Sequence, residues 1–444
     1  MANETKRLAE YAAALRYDDL PEPVLRRAKD CLIDTVAAIV YGHTQPAGRI
    51  AVEQLRAVGA GGACRILGAG GDALRAESAA CANGVLAHAF ELDSLRKPGA
   101  GVHPGAVLVP AALAVAQEHA KGGRALLAAL VAGCEVLFRV GEATKHTPET
   151  RGFHAPGLTG PFGAAVAAGH IAGLDAAAMT NALGIAGSLG GGLLAFAKSG
   201  NGGMVKRLHL GRAAESGVTA ARLAGHGFTG PDTVLEGAFG FLEAYCLETD
   251  VDALTSGLGE RWETLTLCLK RYPCHITAHT PVTAVLALRD AHGFRATDVR
   301  GVSVEGTAKM AEMHAIAEPA DLVLAQYSIP FCVAIALTRD PRDPDAFSDA
   351  TLHDPQVRDL CRRVTVRAAP GAHGWTTTTR IALADGRHLE QTVEDFPGTP
   401  ALPQSPEERT AKFMRLTRRL GERAAPLLAR LEAIEQEDRL DWLG

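Results

Sequence analysis

The sequence has few aromatic residues and no closely spaced cysteines. Phe, Trp and Tyr together make up 5% of the 444 residues, and the nine cysteines include no Cys-x-x-Cys pair. Structural zinc sites and iron–sulfur clusters need closely spaced thiolates, and an odd number of cysteines does not suit a disulfide framework. The sequence therefore argues against both a cysteine-bound metal and a disulfide-stapled fold.

Long hydrophobic runs and an excess of positive charge are also missing. No run of about 18 uncharged apolar residues is present, and the N-terminal stretch MANETKRLAEYAAALRYDDL lacks the apolar core of a signal peptide. We therefore expect a cytoplasmic protein without a membrane span. The net charge of −5 gives no reason to expect nucleic acid or an anionic membrane as a partner.

What the sequence does contain is a globular composition rich in Ala and Gly. Hydrophobic residues make up 47% and charged residues 21%, which is typical of a folded protein. Because small residues let helices approach closely, we expect an Ala-packed helical body. Apolar residues spaced three and four apart predict helices over residues 5–16, 23–41, 47–58, 74–90, 106–120, 124–144, 161–174, 176–197, 211–225, 280–292, 317–339 and 406–443.

Runs of β-forming residues occur only in the last third of the chain. They predict strands over residues 299–306 and 363–368 and a hairpin over 377–395, with its turn at Asp385-Gly386. The predicted fold class is mainly α, with a large all-helical domain plus a smaller α+β lid domain. The boundaries that we predict are 1–265 for the helical domain, completed by C-terminal helices over 403–444, and 266–402 for the lid.

Ionisable side chains gather in four loops that precede predicted helices. Taken one at a time, a capping Asp, a solvated cation or a structural histidine explains each of them. The residues are Asp93, Arg96, Lys97 and His103 in the first loop, Arg151 and His154 in the second, Lys206, Arg207 and His209 in the third, and Lys270, Arg271, His275 and His279 in the fourth.

Taken together, these side chains suit a small polycarboxylate substrate. Lys and Arg neutralise carboxylates, and the same cations stabilise the negative charge that develops when a proton α to a carboxylate is removed. A histidine with a pKa near neutrality takes or returns that proton, and an Asp can orient the histidine. The sequence does not show whether the four loops converge in space.

Many segments of the chain, in order, resemble the MmgE/PrpD family, which includes 2-methylcitrate dehydratase, cis-aconitate decarboxylase and iminodisuccinate epimerase. The resemblance rests on IDTVAAIVYG at 33–42, ANGVLAHAFELD at 82–93, VHPGAVLVPAALA at 102–114, HAPGLTGPFGAAVAAG at 154–169, ALGIAGS at 182–188, VKRLHLGRAAESG at 205–217, GFTGP at 227–231, KRYPCHITAH at 270–279 and QYSIPF at 326–331.

The resemblance implies a large helical domain with a smaller α+β lid, no metal or organic cofactor, and a homodimer. It also implies an active site between the two domains, with catalytic residues at Asp93, His103, His154, Lys206, Lys270 and His275. Lys97, Arg96 and Arg207, in the same loops, are expected to bind substrate carboxylates.

The choice of reaction depends on where the sequence departs from its relatives. Lys97 stands where the decarboxylase-like pattern has a smaller hydroxyl residue, and the segment over 307–325 contains no tyrosine, although the decarboxylase uses one there. The leading hypothesis is therefore a cofactor-independent lyase that dehydrates a 2-hydroxy polycarboxylate, as 2-methylcitrate dehydratase does, with His103 as acid/base held by Asp93. The alternatives are a decarboxylase or an epimerase on the same scaffold, or a non-catalytic binding protein.

Overall fold

A computed structural model describes residues 3–71, 73–199 and 202–444. The chain forms two compact units. The first unit comprises Met1–Leu194, Val205–Leu269 and Arg409–Gly444, and the second comprises Ala195–Met204 and Lys270–Glu408. The C-terminal segment therefore belongs to the first unit, and residues 195–204 belong to the second.

Helices dominate the part of the chain that the structure describes. In the first unit they begin with α1 (Glu4–Ala14), α2 (Glu22–Gly42), α3 (Pro46–Gly59), α4 (Ala76–Ala87), α5 (Pro104–Glu118), α6 (Gly123–Ala143), α7 (Thr147–Thr150), α8 (Ala155–Ala172), α9 (Ala176–Ala186), α10 (Val205–Gly225) and α11 (Phe241–Tyr245). The second unit contains α12 (His279–His292), α13 (Ala308–Met313), α14 (Leu322–Tyr327), α15 (Ile329–Thr338), α16 (Asp349–Leu352) and α17 (Pro355–Arg362), and the chain ends with α18 (Pro406–Leu416) and α19 (Ala424–Glu432) in the first unit. The mainly α fold class is confirmed.

Strands are short in the first unit and form one proper sheet in the second. The first unit has β1 (Ala60–Cys64), β2 (Leu95–Arg96) and β3 (Leu267–Cys268), of which β2 and β3 pair antiparallel. The second has β4 (Val299–Gly306), β5 (Val364–Ala368), β6 (Thr377–Leu383) and β7 (His388–Val393) in the order β5-β4-β6-β7. The pair β4–β5 is parallel, and the pairs β4–β6 and β6–β7 are antiparallel. The predicted turn at Asp385-Gly386 joins β6 to β7, and Gly386 takes the positive φ, 89°, that such a turn requires.

Helices α4, α5, α8 and α10 pack against one another in the core of the first unit, and small residues make this possible. A Cβ atom on Gly84 of α4 would lie 2.8 Å from the Cα of Gly211 on α10, and one on Gly217 would lie 2.2 Å from the Cβ of Ala164 on α8. No side chain larger than a hydrogen atom fits at these helix crossings, in agreement with the close helix packing that the abundance of Ala and Gly predicts. The four helix ends are consequently held at fixed positions.

Several predicted helix boundaries are wrong. Helix α10 begins at Val205, so Lys206, Arg207 and His209 lie in its first turns and not in a loop before residue 211. The predicted helix over 317–339 is broken at Ser328, whose extended backbone and hydroxyl cap α15 by accepting a hydrogen bond from the Phe331 amide. The helix predicted over 176–197 ends at Ala186, before a run of glycines, and the tail over 406–443 is interrupted at Gly421, whose φ is 56°.

Within the described residues, no helix has both the length and the apolar character needed to cross a membrane.

Candidate active site

Asp93 lies between two histidines in the first unit. The Nδ1 of His88 is 2.9 Å from its Oδ1, and the Nδ1 of His103 is 2.7 Å from its Oδ2. His88 caps the C-terminus of α4 and His103 caps the N-terminus of α5, so the two packed helices fix both rings. Asp93 and His88 are fully buried, whereas 14% of the His103 side chain is exposed. Of these three side chains, His103 is therefore the one that a small molecule can reach.

Ring protonation follows from the acceptors around each nitrogen. The Nδ1 of His103 faces two acceptors, Oδ2 of Asp93 and, at 3.2 Å, the carbonyl oxygen of Ser94, so it carries a proton. In the neutral form of the His103 ring, the lone pair is therefore on Nε2. Burial alone would raise the pKa of Asp93, but His88 and His103 together hold it well below its usual range. Asp93 is consequently a carboxylate at neutral pH.

Glu91 ties the start of α10 to the same loop. Its Oε1 accepts hydrogen bonds from the Lys206 ammonium group and, at 2.7 Å, from Nη1 of Arg207. All three side chains are buried. Glu91 adopts a φ of 55°, which a residue with a side chain adopts only at a cost, and this backbone turns its carboxylate toward α10. The charges of Glu91 and Asp93 balance those of Lys206 and Arg207.

His154 and His209 form a second buried histidine pair in the first unit. His154 caps the N-terminus of α8, and its Nδ1 lies 3.0 Å from the Nδ1 of His209, so one ring donates a hydrogen bond to the other. Burial, followed by the charge of Lys206, lowers the pKa of both rings, well below the usual range for His154. The His154 ring is 6.3 Å from the His88 ring. Four of the predicted residues, Asp93, His103, His154 and Lys206, thus belong to one neighbourhood.

The second unit holds the remaining predicted catalytic residues. His275 caps a short 3₁₀ turn, its Nδ1 lies 2.9 Å from the Thr277 hydroxyl, and its ring stacks on His314 with centroids 4.3 Å apart. The Tyr327 ring lies 4.8 Å from the His275 ring. Lys270 is almost fully buried, at 1% exposure. His275, His314 and Tyr327 thus form an aromatic group within that unit.

The two cations of the first loop are placed differently from the histidines. The Arg96 guanidinium donates to Glu263 and Glu142, both at 2.8 Å, and to the carbonyl oxygen of Pro98. Its charge is already neutralised by carboxylates of the protein. The Lys97 amide donates to the carbonyl oxygen of Thr266, and its side chain is partly exposed. The substrate-binding roles of Arg96 and Lys97 stay predictions.

The trio of His88, Asp93 and His103 is also a possible donor set for a metal ion. Its ligand atoms all lie within 4.8 Å of one another, and two imidazoles with a carboxylate are a common set for divalent metals. Both carboxylate oxygens already face ring nitrogens, however, so a cation would have to displace the protons between them. The arrangement is that of a hydrogen-bonded histidine–carboxylate network.

Sequence reasoning missed several members of these groups. His88 and Glu91 lie inside the quoted motif ANGVLAHAFELD, but His88 follows an Ala-rich helix and reads as part of its apolar run. Their signal was the presence of ionisable residues at the end of an otherwise apolar segment. The sequence analysis places His209 in the third loop without a catalytic or binding role, and it assigns neither His314 nor Tyr327 to the site.

This fold and this cluster define a helical enzyme with acid–base side chains at its packed helix ends. Residues 6–254 match the MmgE/PrpD N-terminal domain and residues 272–434 match the MmgE/PrpD C-terminal domain. The chain therefore belongs to the MmgE/PrpD family, as its motifs predicted.

Its relatives include proteins described as cis-aconitate decarboxylases. One from Aspergillus terreus is 30% identical over 418 residues, covering 88% of this chain and 84% of the relative. One from Homo sapiens is 26% identical over 427 residues, covering 92% and 86%, and one from Mus musculus is 24% identical over 430 residues, with the same coverage. The family and these relatives identify the chain as an enzyme of the lyase class.

Proposed function

We propose that the protein is a lyase that removes carbon dioxide from a small unsaturated tricarboxylate such as cis-aconitate, with His103 as its acid. The observation that carries the proposal is the His103–Asp93 pair, in which a buried carboxylate orients a partly exposed imidazole. The names of the relatives supply the substrate class. Decarboxylation thereby takes precedence over the dehydration that we expected first.

Decarboxylation of cis-aconitate requires a group that donates one proton to a carbon atom of the substrate. In cis-aconitate, one carboxylate is attached to a methylene group beside the double bond. When that carboxylate leaves as carbon dioxide, its bonding electrons form a new double bond, the old double bond shifts, and the distant alkene carbon accepts a proton. Protonated His103 supplies this proton from Nε2 and becomes neutral, while Asp93 stabilises the imidazolium form beforehand.

Binding the substrate requires cations beyond those of the buried cluster. Because Glu91 and Asp93 offset Lys206 and Arg207, and because the buried histidines are neutral, that cluster has almost no net positive charge. A tricarboxylate carries three negative charges. Lys97, which is partly exposed, is the additional cation that we propose for carboxylate binding.

Dehydration of a 2-hydroxy polycarboxylate, as in 2-methylcitrate dehydratase, is the second candidate function. Lys97 and the lack of a tyrosine over residues 307–325 depart from the decarboxylase-like pattern and favour it. The phenol of Tyr327, whose ring lies 4.8 Å from His275, weakens this argument because it provides a tyrosine just beyond that segment. In dehydration His103 would remove the α-proton, and in an epimerase Lys97 would serve as the second base.

The two reactions are distinguished by their products. The purified protein is incubated separately with cis-aconitate, 2-methylcitrate, citrate and iminodisuccinate, while carbon dioxide, alkene absorbance and optical rotation are followed. We expect carbon dioxide from cis-aconitate. A rise in alkene absorbance from 2-methylcitrate, without carbon dioxide, would establish dehydration instead.

A matched pair of variants tests the assigned acid. We expect His103→Gln to lower kcat by at least about 10²-fold, the usual contribution of a general acid or base. The control is His119→Gln, which changes an exposed histidine in the same unit and should leave kcat unchanged. Full activity in His103→Gln would remove His103 from the mechanism.

A further inference from the structure

Asp93 has two imidazole partners, although a general acid needs only one carboxylate to orient it. We infer that His88 is a positioning residue that fixes Asp93 and weakens its pull on His103, thereby setting the pH at which His103 gains or loses its proton. The inference rests on the proposed role of His103 in the lyase reaction. It concerns a residue that touches Asp93 and not the reacting atoms.

The tautomer of His88 follows from its surroundings. Its Nδ1 lies 2.9 Å from a carboxylate oxygen, and its Nε2 has no hydrogen-bond partner among the described residues, although the ring is fully buried. A proton on Nε2 would bury an unsatisfied donor and set two lone pairs against each other at the Nδ1 side. A proton on Nδ1 satisfies the carboxylate and leaves Nε2 as a lone pair only. His88 therefore donates to Asp93 from Nδ1.

His88 also stays neutral over the working pH range. Burial, assisted by the charge of Lys206, lowers its pKa to about 3 against the opposing effect of Asp93. A neutral donor stabilises the Asp93 carboxylate without cancelling its charge. The Asp93 charge consequently still holds the His103 imidazolium, but less tightly than a carboxylate with a single partner would hold it.

The geometry explains why one ring can affect the other. The His88 and His103 rings meet edge to face at 4.8 Å and flank the same carboxylate. Other ionisable groups also lie near the two rings. They are Glu91 in the loop, Asp34 on α2, His154 at the start of α8, and Lys206 and His209 on α10.

A histidine with a purely structural role has different hydrogen-bond partners. The partly buried His43 and His170 each hydrogen-bond a backbone carbonyl, of Leu67 and Leu15 respectively. His88 instead donates its ring N–H to the Asp93 carboxylate, which also orients the proposed acid, His103. Replacing His88 should therefore move a titration as well as a melting temperature.

The test is the titration of the histidine rings themselves, which requires no substrate. Protein labelled with ¹³C and ¹⁵N in histidine is titrated by NMR between pH 5 and 8.5, and the His103 and His88 signals are assigned by their loss in His103→Gln and His88→Asn. In the wild type we expect His88 to remain the neutral Nδ1–H tautomer throughout. A His88 that titrates in this range, or that carries its proton on Nε2, overturns the inference without any variant having to fold.

Two substitutions at residue 88 then distinguish the effect of its hydrogen bond from the effect of its size. His88→Phe fills the space but donates nothing, and it should raise the His103 midpoint by about one pH unit, the equivalent of one charge-assisted hydrogen bond. His88→Asn can still donate from its amide and should shift the midpoint by less than half as much. His170→Phe, a mostly buried histidine on α8, is the matched control and should leave the midpoint unchanged. An unchanged midpoint in His88→Phe overturns the inference.

The pH profile of kcat/KM distinguishes a failure of this inference from a failure of the proposed function. If both hold, the limb of the profile assigned to His103 moves by the same amount as the NMR midpoint in His88→Phe. Turnover with an unmoved limb contradicts the role of His88 alone. A moved NMR midpoint with no turnover on any tested polycarboxylate contradicts the proposed reaction and leaves the coupling of the two histidines intact.

Discussion

Asp93 and Arg96 lie three residues apart in one loop, and both are buried in charged networks, but the two networks differ in kind. Asp93 belongs to the acid–base cluster, defined as His88, Asp93, His103, His154 and His209. Arg96 belongs to the arginine network, defined as Arg96, Arg139, Arg261, Glu135, Glu142 and Glu263. The first consists of imidazole rings around one buried carboxylate, and the second consists of paired opposite charges.

The difference lies in what each buried charge faces. In the arginine network each charge meets an opposite one or a backbone acceptor, as where Arg139 donates to the carbonyl oxygens of Ser256 and Arg261. Such pairs hold segments together and leave no group to act on a ligand. In the acid–base cluster the buried Asp93 carboxylate faces two imidazole rings, and the His88 ring is neutral.

The largest effect that we predict is on Asp93. Asp93→Asn keeps the shape, but its amide nitrogen can no longer accept from one of the two rings, so one imidazole is forced into the wrong tautomer. We expect kcat to fall by about 10³- to 10⁴-fold, as when the carboxylate of a catalytic triad is replaced. Steady-state rates on the confirmed substrate check this. Asp232→Asn, at an exposed ion pair with Lys6, is the control, and a loss below tenfold in Asp93→Asn would place Asp93 among the structural charges.

The arginine network should respond to a matched substitution in the opposite way. Glu263→Gln removes the carboxylate that Arg96 and Arg261 share, at 2.8 and 2.7 Å. Buried Arg96 then keeps the partly exposed Glu142 carboxylate and the Pro98 carbonyl oxygen as partners. Breaking a buried ion pair costs about 3 kcal/mol of folding free energy. We expect a lower thermal midpoint with kcat nearly unchanged at temperatures where the protein is folded.

Glu118→Gln is the control for that measurement, because the pair Glu118–Arg222 is about one-third exposed and contributes little. If Glu263→Gln were as stable as Glu118→Gln but inactive, the distinction between the two networks would fail, and Arg96 would return to the site as a substrate ligand.

The sequence predicted several of the clustered residues but not the partners that they contact. Asp93, His103, His154 and Lys206 stand in recognisable motifs, and the pattern of small residues predicted the packed helices that hold them. What Arg96 and Asp93 contact could not be inferred, because Glu263 is 167 residues away from Arg96 along the chain. Ionisable residues that sit side by side in a loop carry no sign of which partners neutralise them.

The missed residues have a related physical cause. Lys206 and Arg207 looked like loop residues because two adjacent cations interrupt an apolar pattern, yet they begin α10, where Glu91 neutralises them. His88 looked like part of an apolar helix because its polar partner, Asp93, comes only after a turn. In both cases tertiary hydrogen bonds outweigh the local pattern.

Lys412 offers an intermediate case between the two networks. This lysine on α18 lies 2.5 Å from Oδ1 of buried Asp34 and also donates, at 3.2 Å, to the carbonyl oxygen of Leu92, the residue before Asp93. It is a fixed charge that supports the loop of the acid–base cluster. We expect Lys412→Met to cost about 2 kcal/mol of folding free energy and to lower kcat moderately, by about tenfold, through displacement of Asp93.

The cost of Lys412→Met should depend on pH in a known direction. Burial already raises the pKa of Asp34, and loss of the opposing Lys412 raises it further. A carboxyl group with a raised pKa costs stability when it must ionise, so the penalty is full above the raised pKa and shrinks as the pH falls through it. The double variant Lys412→Met/Asp34→Asn should recover most of the thermal midpoint at pH 7. No recovery would mean that the contact with Leu92 dominates.

The smallest predicted effect is on the pH dependence of stability, and it separates the two networks without any assay of activity. Burial lowers the pKa of His88 to about 3 in the folded protein, while the same ring in the unfolded chain has its ordinary pKa near 6.5. Between these values the unfolded state binds the proton and the folded state does not, so stability falls as the pH falls below about 6.5.

One histidine of this kind contributes a slope of about 1.4 kcal/mol per pH unit, or about 2 °C of thermal midpoint, between pH 5 and 6. Lowered pKa values of His154 and His209 add to the slope in the wild type. His88→Phe should therefore show a shallower fall between pH 6.5 and 5 than the wild type, when midpoints are measured in half-unit steps. Glu263→Gln should show the wild-type slope at a lower midpoint, because interaction with Arg96 and Arg261 keeps the pKa of Glu263 below its ordinary value and outside this window. Equal slopes in wild type and His88→Phe would mean that His88 is not held neutral, and the contrast between the acid–base cluster and the arginine network would lose its clearest physical basis.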